Sequence, residues 1–117
     1  MAEPRGEDWD AAEQRGRIAM LTEPRALSAH YDAAIDRVVV ELVNGCTFMF
    51  PPRLAQGLEH ATKEELATVE TSPFGFGLHW EQLNADFTVA GLMAGRFGTV
   101  RYMADRFGPA WNAVAAE

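Results

Sequence analysis

The densest apolar run in the chain, Val38-Val39-Val40-Glu41-Leu42-Val43, stops at Asn44-Gly45 and resumes as Cys46-Thr47-Phe48-Met49-Phe50. Asn-Gly between two such runs predicts a β-hairpin, because a two-residue type I′ turn needs positive φ at both central positions and these residue types supply it. A turn of that length sets Val39, Glu41 and Val43 on one face with Phe50, Phe48 and Cys46, and Val38, Val40 and Leu42 on the other with Met49 and Thr47. Both faces are then substantially apolar, so the hairpin is expected to be central or covered twice. Ala26 to Tyr31 adds a preceding strand across a short turn at Asp32-Ala33-Ala34.

Elsewhere the pattern is helical or broken. Glu7 to Leu21 is rich in helix formers, with Trp9, Ala12, Ile18 and Leu21 as a loose apolar stripe interrupted by Gly16. Pro51-Pro52 ends the hairpin, and Leu54 and Leu58, four apart, predict a short helix within 53–61. Thr62 and Glu65 form a capping-box pair for one helical turn, leading into a strand near 67–71. Phe74, Phe76, Leu78 and Trp80 recur at period 2 with Gly75, Gly77 and His79 between them, which predicts a strand with an aromatic, core-facing side. The glycines lack the spacing and the Lys of a phosphate loop, and instead mark a bulge or a close approach of another backbone. Thr88 caps a helix closed by Gly95, Thr99 caps one closed by Gly108 and Pro109, and 110–117 is helix material with Trp111 and Val114 on one side.

These elements define an α+β protein: a small antiparallel sheet built from β-hairpins with short helices packed on it. The core is expected over 25–95, flanked by helical N- and C-terminal extensions at 1–24 and 96–117. A length of 117 residues, 48% hydrophobic and 23% charged, fits one globular domain.

Charge narrows the partners. Ten Lys and Arg against 17 Asp and Glu give a net charge of -7, which repels a phosphate backbone, so direct nucleic-acid binding is not expected. Residues 1–24 carry three Arg against six acids, whereas 96–117 carry three Arg against two. Cys46 is the only cysteine, which excludes an intrachain disulfide and a multi-cysteine zinc site and fits a reducing cytoplasm. The N-terminus has no basic and apolar leader, and no apolar run reaches the roughly 20 residues that span a bilayer. A cytoplasmic protein without a membrane partner is the expectation.

Candidate chemistry is sparse. His30, His60 and His79 show no metal-ligand spacing, and Cys46 reads as a small apolar packing residue. Capping, turn formation and solubility account for Glu64, Glu65, Glu81, Asn84 and Asp86, and no G-x-S-x-G is present. No catalytic residue, metal ligand or cofactor-binding residue is therefore assigned, and no cofactor is expected. Candidate interaction or pocket residues fall in two places: His79, Trp80, Glu81 and Asp86 after the Gly-rich segment, and Arg96, Tyr102, Phe107 and Trp111 in the tail. Arg96, Arg101 and Arg106 are spaced by five and spread around a helix, while the tail's aromatic residues could cover the sheet or dock a partner.

The segments VVVELVNGCTFMFPP, ATKEELATVE and GFGLHWEQLNADFTVAGLMAG, with their spacing, resemble the bacterial domain of unknown function 2442 family over roughly 26–95. The shared features are the Asn44-Gly45 hairpin, the strand ending His79-Trp80, the turn Leu83-Asn84-Ala85-Asp86 and a short final helix. The resemblance implies a small α+β fold, no established catalytic residues, and an antitoxin or regulatory role beside a small toxin-like partner. Some relatives carry a basic C-terminal extension suited to DNA; this tail, with no Lys and many aromatics, departs from that pattern. Three readings stay open: a module that binds a basic protein, a small-ligand or enzymatic pocket using His79, Glu81 and Asp86, and an acidic inhibitor that mimics nucleic acid. Each is compatible with a homodimer formed through the apolar termini.

Overall fold

The computed structural model describes residues 4–111. A long helix α1 (Pro4–Thr22) precedes β1 (Ala26–Asp32), β2 (Arg37–Leu42) and β3 (Thr47–Phe50). Then come α2 (Lys63–Leu66), β4 (Glu70–Thr71), β5 (Gly77–Trp80), β6 (Ala85–Thr88), α3 (Val89–Met93) and α4 (Val100–Phe107). The strands form two antiparallel three-stranded sheets, ordered β1-β2-β3 and β4-β5-β6. One apolar core joins them, with Val38, Val40, Leu42 and Phe50 of the first sheet meeting Leu78 and Trp80 of the second, and Leu58, Leu66, Val89 and Leu92 closing it. The α+β class read from the sequence is the fold observed.

The β2–β3 hairpin differs from expectation by one residue. Val40 faces Phe48 and Val38 faces Phe50, and the turn is a three-residue loop in which Leu42 N donates to Cys46 O (2.8 Å) and Gly45 N to Leu42 O (2.9 Å). Gly45 takes φ +94, and Asn44 Oδ1 accepts from Cys46 N at 2.9 Å. The slip collects Val38, Val40, Phe48 and Phe50 on the core face, where a two-residue turn would have split the aromatics from the valines. The other face is only partly covered: Val39 is buried, but its partner Met49 is half exposed and Cys46, expected to pack, is exposed.

Other expected elements change for local reasons. The helix expected within 53–61 is reduced to one 3-10 turn, Pro52–Leu54, because Ala55 is extended, Gly57 has φ +91, and Gln56 N is drawn away to Phe97 O at 2.8 Å. Leu58 is still buried, and Leu54 half-buried. The strand expected near 67–71 contracts to Glu70–Thr71. The period-2 aromatic strand begins only at Gly77: Pro73–Gly75 is a 3-10 turn, and Phe74, with φ +66, stands out in solvent. Ser72 closes that turn, its backbone pairing with Gly77 and its Oγ accepting from Gly77 N at 2.7 Å. The expected close approach occurs at Gly75, where φ is +80 and a Cβ would collide with the Ala26 carbonyl. Strand β6 carries no alternation long enough to announce it, and it pairs with β5 across the Glu81–Asn84 turn.

Caps behave as their local chemistry dictates. Thr62 and Glu65 bond reciprocally in a full capping box, and Thr88 and Thr99 accept from Gly91 N and Tyr102 N. Helix α1 is the exception to packing. From residue 10 to 22 every residue is exposed except the half-buried Ala19, so Ile18 and Leu21 do not face a core. The helix expected over 110–117 lies beyond Trp111 outside the described residues, and the tail before it is tied down: Met103 is buried and Tyr102 Oη donates to Leu54 O at 2.7 Å.

Candidate functional site

Strand alternation places His79 on the solvent face of β5, between the buried Leu78 and Trp80. Glu81, two residues on, projects from the same side, and the β5–β6 register sets Asp86 opposite His79. The three residues meet. His79 Nδ1 lies 2.6 Å from Asp86 Oδ1, and Nε2 lies 2.8 Å from Glu81 Oε1. Glu70 of β4 faces His79 across the other neighbouring strand, adding a third carboxylate to the surroundings. A neutral imidazole has one N–H and can donate to one partner; two carboxylates at these distances call for the imidazolium. The bond to Glu81 first, and then that to Asp86, raises the His79 pKa above its ordinary 6.5 against a smaller opposing effect of burial.

This arrangement limits the chemistry. With both nitrogens engaged, His79 has neither a free base nor a metal-ligating lone pair. Among the described residues no group of three His, Cys, Asp or Glu side chains could hold a metal, and no polar or charged residue is buried. Trp80, grouped with these residues in the sequence, belongs instead to the core: its ring is fully buried and Nε1 donates to Leu66 O at 3.1 Å.

The second candidate group gathers around α4. Arg106 Nη1 donates to Tyr102 Oη at 2.5 Å, and its guanidinium lies over the rings of Tyr102 and Phe107. Burial pushes the Tyr102 hydroxyl up, and the neighbouring Arg106 pulls the other way. Phe107 and Trp111, with Phe97, Met103 and Arg96, line a surface groove of about 560 Å³. Arg96 also borders a hollow of about 550 Å³ along the free edge of β6, which reaches Asp86. Gln56 organises that hollow, its Oε1 accepting from Thr99 N at 2.9 Å, yet nothing local in the sequence marked it. The hollow's floor depends on glycine, since a Cβ at Gly98 would strike Gln56 and Tyr102. The sequence candidates thus form two clusters on the surface, one polar and closed on itself, the other aromatic and open.

A small α+β body of two three-stranded sheets, whose His79–Glu81–Asp86 cluster satisfies itself, is the class defined by these features. The chain belongs to the family described as protein of unknown function DUF2442, whose model matches residues 26–98. A crystal structure of a protein of unknown function from Rhodospirillum rubrum is similar at 58% identity, covering 71% of this chain and 100% of that one, with a TM-score of 0.68. An uncharacterised protein from Chromobacterium violaceum, solved in solution by NMR, is 30% identical over 90% of this chain and 93% of its own, with a TM-score of 0.71. No curated protein matches. No helix among the described residues is long and apolar enough to cross a membrane.

Proposed function

We propose that this protein is a non-catalytic binding module, regulatory or antitoxin-like, that docks a small basic protein in the groove beside α4. The observation that carries the reading is the composition of that groove: Phe97, Met103, Phe107 and Trp111 with Arg96 at its rim. Aromatic and Arg side chains dominate binding hot spots, because they bury large area at low entropic cost. The net charge of -7 draws a basic partner in over long range, and Arg96 at the rim calls for a carboxylate of that partner at the contact itself. A small-ligand or enzymatic role at His79, Glu81 and Asp86 is weaker, since their hydrogen-bonding capacity toward one another is already used.

The test is capture by the tagged chain from its native host, read by mass spectrometry, with Phe107→Asp as the control. Phe107 is 41% exposed, so the substitution leaves the core intact. A small basic protein retained in stoichiometric amount by the parent chain and lost with Phe107→Asp is the expected result. An empty lane, an acidic partner, or a partner indifferent to Phe107→Asp would overturn the reading.

A further inference from the structure

Helix α1 is 19 residues long, about 28 Å, and residues 10–22 are exposed apart from the half-buried Ala19. A helix of this length with Gly6 and Gly16 inside it is marginal in water unless a face is covered. At its root, near Arg25, lie several exposed apolar residues. Arg25 O accepts from Val43 N at 2.9 Å and its Nη1 donates to Phe74 O at 3.3 Å. Around these bonds stand Leu21, 86% exposed, Leu27, 71%, Phe74, 69%, and Val43, 50%. Met20, Leu21, Val43 and Met93 border a groove of about 400 Å³ there. Scattered exposed apolar residues need no explanation, but Met20, Leu21, Val43 and Met93 share one groove at the base of an unpacked helix.

The charges of α1 say what covers it. Its first part carries Arg5 against Glu7, Asp8, Asp10 and Glu13, a net -3, whereas its second carries Arg15 and Arg17, with Glu23 and Arg25 just beyond, a net +2. We propose that a second copy of this chain is the occupant: two α1 helices pair antiparallel, the acidic half of each lying against the basic, apolar root of the other. One two-fold axis then satisfies both copies, so the same patch serves twice and the assembly closes at a dimer. The antiparallel order also opposes the two helix dipoles favourably. Among the described residues of one chain, the ion pair across the charge boundary is Arg17 to Glu13 at 3.3 Å, largely exposed. Such surface pairs contribute little, so Arg17 is free to exchange that partner.

Sedimentation of the purified full chain across the micromolar range tests the proposal without any other protein present. The parent chain is expected to be a dimer. Asp10→Arg with Glu13→Arg, or Arg15→Glu with Arg17→Glu, places like charges in apposition and should weaken self-association by about tenfold or more. All four positions are exposed, so each variant keeps its fold, checked by circular dichroism. Mixing the two variants restores opposite charges at both contacts and should regenerate the dimer as a heterodimer. A monomeric parent, with α1 left for a different partner, would overturn the proposal, as would a dimer indifferent to both reversals or a mixture that fails to associate. None of these outcomes touches the Phe107-dependent capture, so the two readings fail separately.

Discussion

At the scale of the residue, His79 is where stability and pH meet. Its folded pKa is raised by Glu81 and Asp86 relative to the 6.5 of an unfolded histidine. The folded protein therefore holds the proton more tightly, and the resulting stabilisation is fully present below about 6.5 and is lost as pH rises through the folded value. Denaturation midpoints in urea should fall as pH is raised from about 6 into the alkaline range, and His79→Gln should flatten that slope. Because Glu81 and Asp86 are 84% and 71% exposed, salt should shrink the effect. A slope unchanged by His79→Gln would mean that the imidazole is not the titrating group.

At the scale of the element, α2 is a single turn that survives because both of its ends are held. Thr62 N donates to Glu65 Oε1 at 2.9 Å and Glu65 N to Thr62 Oγ1 at 3.1 Å, while Leu66 at the far end is buried and its carbonyl accepts from Trp80. Thr62→Ala should cost about 1 kcal/mol in urea denaturation and Thr62→Ser much less. Caps of this kind were legible from sequence because their chemistry spans only three or four residues: Thr62, Thr88 and Thr99 all cap where expected. Register was not, because a two-residue and a three-residue loop around Asn44-Gly45 share the same local signal and only core packing chooses between them. Period-2 alternation at 74–80 misled for a related reason: Pro73, Gly75 and the Ser72 hydrogen bonds override it until Gly77. Of the candidate site, His79, Glu81 and Asp86 were nameable by residue type, but their mutual bonding required the β5–β6 pairing, and β6 is too short to read. Gln56 and Gly98 act through contacts more than 40 residues apart, which no local pattern encodes.

At the scale of the whole molecule, two parts of the chain have different sources of order. The body between Ala26 and Phe107 carries its own core, whereas residues 10–22 of α1 contribute none of the buried residues. Yet α1 holds 19 helical residues against 4, 5 and 8 in α2, α3 and α4, so about half of the helix described here is in the element with the least support. If a second copy supplies that support, α1 orders on association and frays on dissociation, while the body stays folded through both. Diluting the protein through its dissociation range should therefore lower the helical circular dichroism signal toward half, and leave the methyl NMR signals of Leu78 and Leu92 in place. The Arg15→Glu, Arg17→Glu chain should show the reduced signal at every concentration, and a mixture with the Asp10→Arg, Glu13→Arg chain should recover it. A helical signal that stays constant on dilution into the monomer would mean that α1 is stable by itself, and that its uncovered surface is not what drives pairing.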